Sequence, residues 1–231
     1  IYITVENGRR TRFSLTGGAS HIGSGTVNIS NSIIRNSSAR KGGGIYLEAG
    51  ATVTITNSVI SGNSATENGG AIYMAEGSSP LISSTVFYDN SSSSLLLKGG
   101  AIASISSSPV IVNSTFVSNT SAAGDGAGIY LENSPDAKVV NSIFWGGPSQ
   151  TALFGTPSSV FDICAIEGVS YAGCLALNSS NTAADGPNFT DPSIGDVTIA
   201  YSSPLRDSGA DSYSGLTIPP TDIIGSGRVH I

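Results

Sequence analysis

The residues of this chain that are best able to do chemistry are its carboxylates, which are few, because Asp and Glu together number 16 in 231 residues. A glycoside hydrolase needs two carboxyl groups within about 5–10 Å of each other. A polysaccharide lyase needs clustered carboxylates that bind calcium and a basic residue that removes a proton. Glu48 and Glu76 come nearest to such a pair, but they lie one place out of register in the repeat described below, and no basic residue recurs beside them. They are the catalytic candidates only under the alternative that the protein is an enzyme.

Other groups suited to catalysis or metal binding are scattered. Asp207, Asp211 and Asp222 could gather around a calcium ion, and no other metal or cofactor is indicated. His21 and His230 lie at opposite ends of the chain, so the spacing supports no Ser-His-Asp or Cys-His arrangement. Without an activated nucleophile, we expect the protein to bind its target and not to turn it over.

Three tyrosines are the candidate ligand-binding residues. Tyr46, Tyr73 and Tyr130 each follow an isoleucine of one recurring motif, so they should point outward from one sheet, about 5 Å apart per repeat. An aromatic strip of that kind could contact the sugar rings of a polysaccharide. The alternative, that the tyrosines only stabilise packing between neighbouring strands, stays open.

These residues are positioned by a repeat. A glycine-rich box recurs around Ile45, Ile72, Ile102 and Ile129, which lie 27, 30 and 27 residues apart. A second motif alternates with it at the same period, as Asn57-Ser-Val-Ile-Ser-Gly-Asn63, Ser84-Thr-Val-Phe-Tyr-Asp-Asn90 and Asn113-Ser-Thr-Phe-Val-Ser-Asn119. Two motifs that alternate at one period indicate a stack of similar units.

Each unit has the pattern of short strands separated by turns, because apolar residues alternate with polar ones and Gly-Gly or Asn-Gly pairs occupy the breaks. A unit of about 27 residues with three short strands describes one coil of a parallel β-helix. The sequence therefore predicts an all-β, right-handed parallel β-helix of about five to seven coils with a C-terminal capping region. It predicts inward columns of isoleucine and phenylalanine, and a corner column containing Asn36, Asn63, Asn90 and Asn119.

Three regions are expected. Residues 1–26 form an N-terminal coil or cap, residues 27–147 form the repeats, and residues 148–231 form the last coils and a C-terminal cap. The last region holds Cys164 and Cys174, whose spacing suits a disulfide that closes a short loop. Two unrelated thiols are the alternative. A disulfide would place the protein outside the reducing cytosol.

Composition excludes some classes of partner. The net charge of −6 and the scattered basic residues argue against nucleic acid, which needs a continuous Lys and Arg surface. No apolar run approaches the roughly 18–20 residues of a membrane span. The remaining partners are a polysaccharide or a cell-surface protein.

The boxes Gly69-Gly70-Ala71-Ile72 and Phe87-Tyr88-Asp89-Asn90 resemble the repeats of the chlamydial polymorphic outer-membrane protein family. The order of motifs in the C-terminal part, a Gly-Asp-Val segment at 195–197, a Ser-Pro-Leu segment at 203–205 and an Asp-Ile-Ile-Gly segment at 222–225, is similar to the end of choice-of-anchor Q proteins. The resemblance implies a secreted or bacterial cell-surface module with a structural or adhesive role. Related β-helix folds include pectin and alginate lyases, so a carbohydrate-active enzyme is the alternative.

Overall fold

The chain winds into a solenoid of parallel strands. The computed structural model of the protein describes residues 4–6, 16–23, 25–147, 151–157, 160–168, 171–177, 186–199, 202–203 and 205. Strands at equivalent positions of successive coils pair in parallel and form four sheets that run along the solenoid. We name them sheets I to IV, in the order in which one coil passes through them.

Sheet I contains the strands Ser20–Ile22, Ile45–Leu47, Ile72–Met74, Ile102–Ile105, Ile129–Glu132 and Thr151–Phe154. Sheet II contains Thr26–Ser30, Thr52–Thr56, Leu81–Ser83, Val110–Val112, Lys138–Val140 and Phe161–Asp162. Sheet III contains Thr4–Glu6, Ile33–Arg35, Val59–Ser61, Val86–Tyr88, Thr115–Val117, Ile143–Trp145, Ala165–Glu167 and Leu175–Leu177. Sheet IV contains the two-residue strands Ser38–Ala39, Ser64–Ala65, Ser91–Ser92 and Thr120–Ser121.

The predicted register is confirmed. Ile72 pairs with Ile45 on one side and with Ile102 on the other, and Ile102 pairs with Ile129. The sequence predicted three strands per coil, and the structure adds the short strand of sheet IV. Beyond the solenoid strands, Phe189–Asp191 and Asp196–Ile199 form an antiparallel pair joined by the 3₁₀ turn Pro192–Ile194.

The core lies inside the coils, between the sheets. The four isoleucines of sheet I have no exposed surface, and neither do Ile60, Phe87, Phe116 and Phe144 of sheet III. The phenylalanine rings stack along the solenoid axis, with centroids 4.6 Å apart for Phe87 and Phe116 and 4.4 Å apart for Phe116 and Phe144. Because one residue of each coil fills each column, burial is repeated coil by coil.

The glycine box makes the turn into sheet I possible. Gly69 has a φ of 66°, which only glycine adopts at little cost. A Cβ atom on Gly70 would collide with the carbonyl oxygens of Gly100 and Ser91. The first glycine is therefore required by its dihedral angle, and the second by the close approach of neighbouring backbone.

A ladder of buried asparagines fixes the corner before sheet IV. Asn63, Asn90 and Asn119 have no exposed surface, and the backbone N–H of Asn90 donates to Oδ1 of Asn119 at 3.0 Å. The prediction that Asn36 heads this column is wrong. Ser37 occupies that place, since its N–H donates to Oδ1 of Asn63, and Asn36 lies one position earlier, exposed and with positive φ.

The C-terminal segment packs against the outer face of sheet III. Phe189 and Leu205 are buried there in a small cluster with Val117, Ile143 and Leu177. The Tyr88 hydroxyl donates to the carbonyl oxygen of Ser193, which attaches the 3₁₀ turn to the same face. This segment therefore covers one side of the coils.

Candidate functional site

The outer face of sheet I brings together most of the predicted binding residues. Strand register aligns His21 with Tyr46, Tyr46 with Tyr73, Tyr73 with Ala103 and Ala103 with Tyr130. All of these residues alternate with inward ones in their strands, which places them on the outer side of the sheet. The predicted column of tyrosines therefore exists, and a histidine extends it.

The rings of Tyr46 and Tyr73 do not present their faces to solvent. Tyr46 and Tyr73 stack with centroids 5.2 Å apart and planes 10° apart, and the imidazole of His21 lies 5.0 Å from the ring of Tyr46. Tyr73 retains only 8% of its surface, so the prediction that its ring faces solvent is wrong. Its neighbours in the column cover it. Tyr46, which is partly exposed, keeps the larger share of its surface for contact with a ligand.

Two lysines connect consecutive coils on this face in the same way. Nζ of Lys41 lies 4.8 Å from the ring centroid of Tyr73 and 3.9 Å from a carboxylate oxygen of Glu67. Nζ of Lys98 lies 5.9 Å from the ring centroid of Tyr130 and 2.7 Å from Oδ2 of Asp125. Each lysine thus contacts a tyrosine and an acid of the following coil, and the charge of each lysine is paired.

The phenol of Tyr130 is bound within the face. It donates to Oε2 of Glu132 at 2.9 Å. Burial, together with this hydrogen bond and the negative charge of Glu132, raises the pKa of Tyr130 to about 12. Burial and the nearby charges of Glu132 and Glu67 also raise the pKa of Tyr73. Both phenols are therefore neutral donors at physiological pH.

His21 is the main residue that the sequence analysis missed. Its Nε2 lies 2.7 Å from Oε1 of Glu48, and its Nδ1 lies 2.9 Å from Oγ1 of Thr16. The early Gly17-Gly18-Ala19 box could have revealed it, because His21 follows that box as Tyr46 follows Gly42-Gly43-Gly44. Aligning the boxes would have placed the imidazole beside Tyr46 and near Glu48.

The chemistry of this hydroxyl–imidazole–carboxylate set is limited by its own hydrogen bonds. When Nε2–H donates to the Glu48 carboxylate, Nδ1 is left as the acceptor of the Thr16 hydroxyl, which is the order of a general base that activates a nucleophile. However, the N–H groups of Gly17 and Gly18 already donate to the carbonyl oxygens of Lys41 and Gly42. These two N–H groups are therefore not available to stabilise an oxyanion beside the Thr16 hydroxyl.

The other predicted catalytic candidate is not part of this set. Glu76 lies exposed in the turn after Ile72–Met74, and Glu48 is bound to His21. Asp207, Asp211 and Asp222, the possible calcium ligands, lie outside the described residues. Within the part of the chain that the structure describes, no group of three His, Cys, Asp or Glu side chains could hold a metal ion.

The two cysteines lie side by side but are not bonded. Ala165 pairs with Leu175 in sheet III, so Cys164 and Cys174, which directly precede these strands, are neighbours. Both are free thiols, so the predicted disulfide is not seen in the structure. A hydrogen bond from Cys164 lowers the pKa of Cys174 to about 7, whereas burial raises the pKa of Cys164.

Comparison with known proteins agrees with the solenoid. The family model described as "Right handed beta helix region" matches residues 4–189. No curated protein and no solved structure was found to match the chain. Among the described residues, no helix is long and apolar enough to cross a membrane.

Proposed function

The chain belongs to the right-handed β-helix family, and we propose that it is a secreted or cell-surface bacterial module that binds an extended polysaccharide along the outer face of sheet I. The observation that carries this proposal is the column of His21, Tyr46, Tyr73 and Tyr130, set in register at the strand spacing of about 4.8 Å. A polymer that lies parallel to the solenoid axis meets an imidazole or phenol ring at each coil from His21 to Tyr130 except the coil of Ala103.

The contacts on this face suit hydroxyl-rich ligands. Tyr46 is half-buried, and Glu48 exposes 50% of its side chain. Sugar hydroxyl groups both donate and accept hydrogen bonds, so they can pair with phenol and carboxylate in turn. Because most charges of the face are already paired, neutral or weakly charged polysaccharides match it better than highly anionic ones.

The proposal is tested by affinity electrophoresis of the purified chain in gels that contain single polysaccharides. We expect retardation by at least one polysaccharide, and we expect Tyr46→Ala to weaken it. Leu81→Ala is the control, because it shortens an exposed side chain on the outer face of sheet II. Equal retardation of the two variants would place the binding surface elsewhere, and no retardation on any polysaccharide would contradict the proposal.

A carbohydrate-active enzyme is the second candidate, favoured by the contact between His21 and Glu48. An imidazole held by a carboxylate can take a proton from a uronic acid residue during elimination. The enzyme ranks second because the Thr16 hydroxyl is hydrogen-bonded to Nδ1 of His21. A substrate would have to displace this hydroxyl before Nδ1 could take its proton. Incubation with pectin and alginate, with and without calcium, tests it. Unsaturated products or new reducing ends that disappear in Glu48→Gln or in Glu76→Gln would replace the binding proposal.

A further inference from the structure

Three consecutive leucines protrude at one corner of the solenoid. Leu95, Leu96 and Leu97 expose 78%, 88% and 38% of their surface. They lie between the strand Ser91–Ser92 of sheet IV and the strand Ile102–Ile105 of sheet I. We call Leu95–Leu97 the leucine loop. Single exposed leucines are common on protein surfaces, but three in a row at one tip form an apolar patch that needs a physical reason.

The exposure follows from the length of this coil. Ile72 lies eight positions after Ser64, whereas Ile102 lies eleven positions after Ser91, and the register of both strands is kept. The three extra residues therefore have to bulge outward. At the same corner, the next coil carries Ala122 and Ala123, whose side chains are too short to cover a leucine.

The loop is held in this conformation. Oγ of Ser94 accepts hydrogen bonds from the backbone N–H of Leu96 at 3.2 Å and of Leu97 at 3.0 Å. A serine turn of this kind fixes the backbone locally. The apolar tip is thus presented by a defined structure.

The acidic groups around the loop are paired with cations. Lys98, which follows the loop directly, pairs with Asp125 at 2.7 Å, and Glu67 of the preceding coil lies 3.2 Å from Arg40 and 3.9 Å from Lys41. The net charge of −6 of the whole chain is therefore not concentrated at this corner. An uncharged surface can approach without strong repulsion or attraction.

We propose that the leucine loop inserts into the interfacial region of a lipid bilayer without net charge. A stable contact between two proteins buries about 1,200–2,000 Å² in total, which a convex tip of three side chains does not supply. A bilayer accepts a small apolar tip without a matching shape. The preceding serines then lie among the lipid headgroups, while Lys98 keeps its ion pair with Asp125.

Flotation with vesicles of phosphatidylcholine tests this inference on the full chain. We expect a fraction of the protein to float with millimolar lipid, and we expect the double variant Leu95→Ser with Leu96→Ser to reduce its partition coefficient at least about tenfold. Leu81→Ser is the matched control, because it removes another exposed leucine from sheet II, and it should float like the unchanged protein. Circular dichroism checks that each variant keeps its strands.

Several outcomes overturn the inference. Absence of flotation with phosphatidylcholine contradicts it directly. So does flotation only with anionic vesicles, or flotation that the double variant retains. Sedimentation equilibrium without lipid tests whether the leucine loop binds a second copy of the chain instead of a bilayer. A dimer that is lost in the double variant would show this and would overturn the inference. Polysaccharide binding in the same double variant should be unchanged, which separates this surface from the face of sheet I.

Discussion

The side-chain amide of Asn63 donates a hydrogen bond to Oδ1 of Asn90, one coil further along, at 3.0 Å. The backbone N–H of Asn63 donates to the same oxygen at 3.1 Å. Asn90 in turn donates from its amide to the carbonyl oxygen of Ile60 at 2.8 Å. One buried side chain thus pairs backbone and side-chain groups of neighbouring coils, at a corner that water does not reach.

Replacing Asn90 by Ala should therefore be costly. The change leaves the backbone N–H of Asn63 and the carbonyl oxygen of Ile60 buried without these partners, so we expect the free energy of unfolding to fall by about 3 kcal/mol or more. Urea denaturation followed by circular dichroism measures it. Asn36→Gly is the control, since Asn36 is exposed, lies outside the ladder and has a positive φ that glycine tolerates. A loss below about 1 kcal/mol in Asn90→Ala would show that the ladder contributes little.

Tyr73 and Ile72 should both matter for stability, although only Ile72 points inward. Ile72→Ala should lower the free energy of unfolding by about 2–5 kcal/mol through lost burial and a cavity. Tyr73→Ala should lower it by about 2–4 kcal/mol, because the ring is buried and Tyr46 and Lys41 pack against it. Thermal or urea denaturation of the two variants decides this. Near-neutral behaviour of Tyr73→Ala would mean that the ring is solvated in solution.

The phenol of Tyr130 should lose its proton at a higher pH than an ordinary tyrosine. Its pKa of about 12 lies above the usual value near 10, so the folded state keeps this proton longer than the unfolded state does. The contribution to stability is complete below about pH 10 and is lost as the pH rises from about 10 through about 12. Spectrophotometric titration of tyrosine absorbance should show a step near pH 12 that disappears in Tyr130→Phe. Glu132→Gln should move that step to lower pH, because the negative charge is removed.

Cys174 should react before Cys164. With a pKa of about 7 and partial exposure, Cys174 is largely thiolate at pH 8, whereas Cys164 is buried and its pKa is raised. Iodoacetamide should label Cys174 first, as read by mass spectrometry of peptides. Cys164→Ala should slow this labelling near pH 7, since it removes the hydrogen bond that lowers the pKa of Cys174. Preferential labelling of Cys164 would contradict the structure.

The sequence predicted the fold well because each coil repeats the same constraints. One isoleucine recurs at nearly the same position of each coil, as Ile45, Ile72, Ile102 and Ile129. Only one register of the parallel strands brings all four into a single column. The error at Asn36 arose because two adjacent positions of one corner can carry asparagine, one for positive φ and one for the buried ladder. The pairing of Arg35 with Ser61 and the hydrogen bond from Ser37 to Asn63 separate the two positions.

The candidate site was harder to predict because it depends on contacts between side chains. Alternation placed Tyr73 on the outer side of its sheet, but it could not show that Tyr46 and Lys41 would cover the ring. His21 was missed because the first glycine box differs from the later ones. A single histidine in a column of tyrosines does not repeat, so periodicity could not reveal it. Leu95 and Leu96 are exposed because the same corner is shorter in the neighbouring coils. This becomes visible only when the lengths of successive coils are compared.

The additional residues between Ser91 and Ile102 show where this architecture tolerates change. They are accommodated at one corner, and the strands on either side still pair with Ser64 and Ile72 as the other coils do. Chain length at that corner is therefore independent of the pairing that holds the stack together. Natural variation can lengthen the segment, and an engineer can graft a foreign peptide there, while the scaffold below keeps its shape.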